Sequence, residues 1–534
     1  MTTAFPDLVP AELRKRWAEQ GHYLGRGIHD LFRYTAMAHP DRTAVIDDHG
    51  QVTYAALRTQ VLKIAGHLLE LGVEPGQVVA VQLPNSALAA ATELAVAAVG
   101  GVCLAFPIDR GPKEVDSLLR RSRATVLVAA TEHRGRSPYQ AARGLRSGLP
   151  ELRWLVAADP HTGGPMTVAR PVEESDLPVV DPGSAARILV SSGSEAEPKM
   201  VAYSHDALAG GRGNFMASLN HGQDTLRAYF LVPLGSAFGS NGTSVTLARH
   251  GGTLVLNHRF ETERTLSYLD RHRPTHLLGV PTMVRMLLDL ADENRPIQPT
   301  TLVLGGAPLD AATARRAKTV FGGPVVNLYG SADGVNCHTG LSGDPCDESG
   351  PGRPVGVPDP SVVDIRVVDD QLCEVPSGTT GEIIALGPMS PLCYVSDSAL
   401  DRRYRTPDGW VRTGDLGAFD SQGRLRVVGR LKDVVIRGGA NISPVEVEAC
   451  VRTHPDIADV CCFGVPDPLM GERLSAALVL GSDGVEPSLA ELTAYLKEHG
   501  LDSHKFPESI VIVGALPLNP AGKVDRDALR RLVG

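Results

Sequence analysis

None of the eight cysteines is spaced as a CxxC pair, so they are expected to be reduced, mostly buried thiols of a cytoplasmic protein. Basic residues are not in excess: Lys plus Arg number 52 against 61 Asp plus Glu, a net charge of −9. That balance argues against a nucleic-acid partner, whose phosphates need a basic surface. No basic-then-apolar leader opens the chain, and the first residues read MTTAFPDLVPAELRK. The longest nearly apolar stretch, 94 to 108, is too short to span a bilayer and contains Gly100 and Gly101, so no membrane insertion is expected. Tandem repeats, coiled-coil heptads and low-complexity tracts are missing as well. What is present is ordinary globular material, 43% hydrophobic and 21% charged, in 534 residues. At about 150 residues per domain this length suggests three or four structural units.

Helical and strand patterns alternate from residue 29 onward. Leu57, Val61, Ile64, Ala65 and Leu68 are spaced as one helix face over 54–70. The apolar run 78–83 ends at Pro84 and suits a buried strand. A second helix over 88–99, stopped by Gly100, leads into a strand at 102–106. Such crossovers predict a parallel sheet covered by helices. Further strands are expected at 186–190, 226–232, 253–256, 302–304 and 325–328, with helices at 262–271 and 283–290. Glycines collect after several of these strands, where open α/β sheets place ligands. The fold class is therefore α/β: a large N-terminal domain of parallel α/β sheets over 1–430, a small β subdomain at about 350–428, and an α+β domain over 431–534. In that last domain, Ser443, Pro444 and Glu446 read as a helix start, and Ser488 with Glu491 as a capping box. Cys461 and Cys462 fall in a buried strand.

The segment LVSSGSEAEPKMVAYSH, 189–205, carries the sharpest local chemistry. Its small and hydroxyl residues allow backbone N–H groups to approach phosphate oxygens, and Lys199 supplies charge. It is not the GxxxxGK[ST] loop. Together with GGAPL at 305–309, NLYGSAD at 327–333, GRPVG at 352–356, GWVRTGD at 409–415, GRLKDVVIRGGANISPVEVE at 429–448 and LPLNPAGKVDRDAL at 516–529, it resembles the adenylate-forming superfamily. That superfamily contains acyl-CoA synthetases, non-ribosomal-peptide adenylation domains and luciferases. The matching motifs run in the family's order from about residue 30 to 530.

The resemblance implies a two-step reaction in which a carboxylic acid attacks the α-phosphorus of ATP and a thiol then displaces AMP. Three lysines would be catalytic. Lys199 would meet the phosphates, Lys523 would bridge the acid and the α-phosphate, and Lys432 would be the hinge of a mobile C-terminal domain. Ser191, Ser192, Gly193 and Ser194 would line the phosphates. Gly305, Gly306, Ala307 and Pro308 would lie on one face of adenine and Tyr329 on the other, with Asn327 at its polar edge and Gly330 and Ser331 also in the nucleotide site. Asp415 would accept from the ribose hydroxyls beside Arg430. Gly438 and Gly439 would pass close to the thiol donor. Asp333 would hold Mg²⁺.

Two motifs depart from the pattern. YGSAD has Asp333 where the family usually has Glu, and Ala332 where it has Thr. The phosphate loop has Glu195, Ala196, Glu197 and Met200 in place of small residues, and both carboxylates are expected to point to solvent. At the acid site, family members often carry PLFH, and this chain reads PLGSAFG. Gly235, Ser236, Ala237, Phe238 and Ser240, with Asn241, Leu304, Gly306 and Gly330 as further wall candidates, are expected to form a roomy pocket for a bulky acid. The expected activity is an acyl-CoA ligase of specialised metabolism, with ATP, Mg²⁺ and coenzyme A. The alternative is an enzyme that loads a carrier-protein phosphopantetheine. A monomer or homodimer is expected.

Overall fold

The computed structural model describes residues 5–159, 164–165, 170–191, 198–220, 225–291, 300–347, 352–437, 440–482, 484–518 and 524–533. Their internal packing forms two compact units. One comprises 1–346, 357–365 and 385–412, the other 347–356, 366–384 and 413–534.

The first unit contains two eight-stranded sheets. In one, the strands Trp154–Asp159, Val126–Ala130, Val78–Gln82, Val102–Ala105 and Ala185–Val190 run parallel in that order. Met200–Ser204 then pairs antiparallel with Ala185–Val190, and Cys393–Tyr394 pairs antiparallel with Met200–Ser204. In the other sheet, Gly322–Ser331, Thr300–Gly305, His276–Gly279, Arg227–Phe230, Thr253–Leu256 and Thr43–Asp47 are parallel neighbours. Hairpins close both edges, Val335–His338 on one side and Gly50–Thr53 on the other.

The expected helix over 54–70 is Tyr54–Glu70, begun by Thr53, whose side chain accepts from the Ala56 N–H. Leu57, Val61, Ile64, Ala65 and Leu68 are its buried stripe. The next helix, Ala87–Ala98, is buried all round. Its alanines let neighbouring elements approach closely, and it packs on strands of both sheets. Arg187, on the strand leading into the phosphate loop, pairs with Glu93 of this helix at 2.5 Å, with both side chains buried.

The second unit begins with the small β region expected near 350–428. Arg353–Gly356, Leu425–Arg430, Val411–Phe419, Gly381–Leu386 and Asp364–Val368 form a five-stranded sheet in that order. The described pairings of Leu425–Arg430 with both its neighbours are antiparallel. Most of this sheet groups with the later residues, because Leu425–Arg430 leads directly into them and helix Pro444–Val451 packs on it. A second sheet pairs Ile457–Asp467 with Gly471–Leu480 and adds Ser509–Ile512 in parallel. The capping box of Ser488 and Glu491 is present at helix Leu489–Glu498. Ser443 precedes helix Pro444–Val451 as expected, but its hydroxyl does not cap it. The hydroxyl donates instead to the Val428 carbonyl at 3.1 Å, tying the helix to the neighbouring strand.

All eight cysteines are free, and Cys461 and Cys462 lie buried in strand Ile457–Asp467. Among the described residues, no helix is long and apolar enough to cross a membrane.

Candidate active site

The site of the first unit is built where strand ends of its two sheets meet. Leu304 and Gly305 lie in register with Asn327 and Leu328 on the adjacent parallel strand. This sets 305–308 beside 327–331 at the C-terminal ends of two strands, the place where open sheets form ligand crevices. Gly305 is required there, since a Cβ would fall 2.8 Å from the Leu328 carbonyl oxygen. Gly306 turns the chain with a φ of +81°, a conformation suited to glycine. Asn327 is buried, Tyr329 half-buried, and Gly330 exposed.

Asp333 sits in the turn between Gly322–Ser331 and Val335–His338, and its N–H donates to the Ser331 hydroxyl at 3.1 Å. Lys199 comes from the other sheet. Its N–H donates to the Ser191 hydroxyl at 3.0 Å, and the Ser191 N–H donates to the Lys199 carbonyl at 2.9 Å. These bonds close the two ends of the phosphate loop. The ammonium of Lys199 then pairs with Asp333 Oδ1 at 2.7 Å, with both side chains largely buried.

Three tyrosines complete the cluster. Tyr394 is in register with Val201 on the edge strand, which aims its hydroxyl at Asp333 Oδ1, 2.7 Å away. Burial, then the Asp333 carboxylate, push that phenol far above its ordinary range. The Lys199 ammonium lies 4.3 Å from the Tyr404 ring centre and 5.6 Å from that of Tyr394. Tyr203, also held protonated by burial, donates to the Ala332 carbonyl at 2.8 Å. Sequence reasoning missed these tyrosines. The signals available were Tyr203 inside the 189–205 segment and Tyr394 in the edge strand before GWVRTGD.

Among the described residues no group of three or more His, Cys, Asp or Glu could hold a metal ion. The donor set is one buried carboxylate, Asp333. That fits Mg²⁺ arriving on a nucleotide, which takes its other ligands from phosphate and water. With a nucleotide bound, Lys199 would have to pass from Asp333 to a phosphate oxygen, a move open to a flexible ammonium.

The second unit contains the other expected nucleotide group. Asp415 and Arg430 are directly paired residues on adjacent strands, and Arg430 Nε lies 3.0 Å from Asp415 Oδ1. Asp415 is buried, and its N–H donates to the Thr413 hydroxyl at 3.1 Å. Thr413 in turn donates to the Ile383 carbonyl at 2.7 Å. The Gly414 N–H donates to Glu382 at 3.2 Å. Lys432 is exposed in the short helical turn Leu431–Asp433. Just beyond, Arg526 bridges Asp433 and Glu448 at 3.3 Å each, anchoring the start of the last helix. Ser192, Gly193, Ser194, Glu195, Ala196, Glu197, Gly438, Gly439 and Lys523 lie outside the described residues.

The acid-site expectation needs correction. Gly235 does not open space: a Cβ there would fall 2.6 Å from the backbone carbon of Phe106. The glycine permits two backbones to touch, so it is no evidence of a roomy pocket. Ser236 is also occupied, donating to the Pro233 carbonyl at 2.7 Å and accepting from the Gly239 N–H at 2.9 Å. Ser240 is fully buried and donates to the Ala237 carbonyl at 2.7 Å. Phe238 is half-buried. Beneath this loop lies Arg212, which the sequence reading passed over. It donates to the Ala237 carbonyl at 2.7 Å and to the Ser240 hydroxyl at 2.9 Å.

With this geometry in place, comparison with known proteins adds independent findings. Residues 32–395 match the family model described as AMP-binding enzyme, and 446–523 match that of the AMP-binding enzyme C-terminal domain. Triostin synthetase I of Streptomyces triostinicus is 34% identical over 538 residues, spanning 99% of this chain and 98% of that one. A salicyl-AMP ligase / salicyl-S-ArCP synthetase of Mycobacterium tuberculosis is 30% identical over 548 residues, spanning 98% and 94%. The solved structure of the ATP-bound RpMatB-BxBclM chimera B3 resembles this chain with a TM-score of 0.81 at 25% identity, covering 94% of this chain and 98% of that one.

Proposed function

Because the chain belongs to the adenylate-forming family of AMP-binding enzymes, we propose that it activates a carboxylic acid with ATP and passes the acyl group to coenzyme A in specialised metabolism. The observation that carries the activation half is the Lys199–Asp333 pair beside the crevice of 305–308 and 327–331. It combines a cation for phosphate, a carboxylate for Mg²⁺ and a glycine-lined slot for a flat base. The chimera solved with ATP supports the nucleotide assignment.

In this reading adenine lies between the 305–308 loop and Tyr329, with Asn327 at its edge. Asp415 accepts from the ribose hydroxyls, and Arg430 gives up part of its contact with Asp415 to ribose or phosphate. Lys199 neutralises phosphate charge, while Mg²⁺ held by Asp333 would offset charge on the phosphate oxygens. Lys523 is assigned to the acid and α-phosphate, so that the weak carboxylate nucleophile is held in line. The acid oxygen bonds to the α-phosphorus and pyrophosphate leaves. The thiol sulfur then bonds to the acyl carbon, the thiol proton is lost, and AMP leaves with the electron pair. Rotation of the C-terminal domain about Lys432 would exchange Lys523 for the Gly438–Gly439 segment between the two steps.

A second acceptor is a carrier-protein phosphopantetheine, which the name of the salicyl-S-ArCP relative favours. Both acceptors present the same thiol arm. The test is acid-dependent exchange of labelled pyrophosphate into ATP across aryl, alicyclic and fatty acids. Single-turnover transfer to free coenzyme A and to a phosphopantetheinylated carrier follows. Exchange with at least one acid, and faster transfer to coenzyme A, are expected. No exchange with any acid in the presence of Mg-ATP would overturn the reading, and faster transfer to the carrier would replace the acceptor.

A further inference from the structure

Arg212 is a buried cation with no matching anion among the described residues. It ends the π-helical segment Asp206–Arg212, and only 6% of it is exposed. Among the described residues no carboxylate lies within ion-pair distance of it. Its contacts are a carbonyl and a hydroxyl, and its Nε is enclosed without a hydrogen-bond partner. The nearby Arg187 is different, since Glu93 neutralises it. Arg187 also donates to the Leu234 carbonyl at 2.8 Å. The loop 233–240 is therefore gripped by two guanidiniums, of which one keeps its full charge. Burial pushes Arg212 down to about 10, so it remains charged at neutral pH.

Such an arrangement is costly in a folded protein. A charge taken from water is normally retained only with a partner, and an unpaired one destabilises the state that contains it. Neutral anchors would serve if the loop only needed tying down. The contacts go to Ala237 and Ser240, the stretch assigned to the acid. A fixed positive charge beneath it, in a water-poor setting, favours an anion above it.

We propose that Arg212 is a positioning residue for the acid substrate: it fixes loop 233–240 and supplies the positive field that distinguishes a carboxylate from a neutral molecule of the same shape. This rests on the reading of that loop as the acid site. Uncharged amides or alcohols of the same skeleton are disfavoured. The loop side chains contribute no charge to this selection.

The experiment compares the parent enzyme with Arg212→Met and Arg212→Lys. For an acid that supports pyrophosphate exchange, the KM is measured beside the inhibition constant of its primary alcohol, and the KM for ATP is followed in parallel. In Arg212→Met the preference for carboxylate over alcohol should fall at least about tenfold, with the KM for ATP unchanged. Arg212→Lys should restore part of that preference. Circular dichroism and thermal melting confirm that each variant is folded. If carboxylate and alcohol weaken equally, Arg212 only ties the loop and the inference is overturned. If Arg212→Met does not fold, Arg212→Gln, which can still donate to the loop but carries no charge, decides: a carboxylate preference that falls supports the field, and one unchanged from the parent refutes it. If the parent exchanges with no acid at all, the failure belongs to the proposed function.

Discussion

Asp333 is one methylene shorter than the residue usual in its motif, and Tyr394 shows how the chain holds it. Oδ1 of Asp333 receives the Tyr394 hydroxyl and the Lys199 ammonium at the same distance, 2.7 Å. A hydrogen bond to a charged, buried group contributes about 1.5–3 kcal/mol. Removing the hydroxyl alone, with Tyr394→Phe, keeps the ring that packs beside Lys199. In the proposed reading it frees the carboxylate to rotate away from the position in which it would meet the nucleotide's Mg²⁺. The KM for Mg-ATP should rise by about tenfold or more, the Mg²⁺ midpoint of ATP binding by calorimetry should move upward, and the KM for the acid should stay within about twofold. A Mg²⁺ midpoint equal to the parent's would remove Tyr394 from this role. Asp333→Glu in the Tyr394→Phe background should recover part of the loss, because the longer arm no longer needs the phenol to direct it.

The elements separate what periodicity can reveal from what it cannot. Tyr54–Glu70 was legible because one apolar stripe faces a core and Thr53 supplies the cap. The helix Ala87–Ala98 was legible by length and by Gly100, although it is buried all round and shows no single apolar stripe. The capping box at Ser488 was legible because its chemistry is local, whereas the Ser443 hydroxyl is drawn off by a strand 15 residues away in the chain. The motifs gave the Lys199 and Asp333 types but not their pairing, since that depends on a hairpin of one sheet meeting the edge of another. Tyr394 lies 61 residues from Asp333, and no local pattern marks so distant a partner. Gly235 is the clearest case of the opposite kind. A missing side chain read in sequence suggested space, and tertiary packing filled it with the backbone of Phe106. Gly235→Ala should therefore cost about 1–3 kcal/mol in chemical unfolding, as overpacking does. Small and large acids should be affected alike in kcat/KM. A variant as stable as the parent, with selectivity shifted toward small acids, would restore the idea of an open pocket there.

At the scale of the whole molecule, buried histidines set the response to acid. Burial pushes His29 and His205 down to about 4, and the nearby Asp30, Glu174 and Asp181 only partly oppose this. His205 Nδ1 accepts from the Ile28 N–H at 3.2 Å, a bond that protonation of that nitrogen would break. His133, His250, His258, His272 and His338 are also held below their ordinary value by burial. Between the folded value near 4 of His29 and His205 and the ordinary value near 6.5, the unfolded chain binds more protons on these two groups than the folded one. Stability therefore rises with pH through that window and is lost as pH falls through it, by up to about 1.4 kcal/mol per pH unit for each such group. Asp206 acts in the opposite sense, since burial raises it to about 6 and the folded state then holds the extra proton. Asp401 is also raised by burial, and two carboxyls shifted up do not cancel seven histidines shifted down. The free energy of unfolding, from urea titrations at pH 7, 6 and 5, should decline with falling pH. The decline should be shallower in a His29→Gln, His205→Gln variant than in the parent, even where that variant is less stable at pH 7. Parallel pH profiles for the two proteins would mean that these imidazoles titrate alike in the folded and unfolded chains, and the acid response would then have to come from the carboxylates.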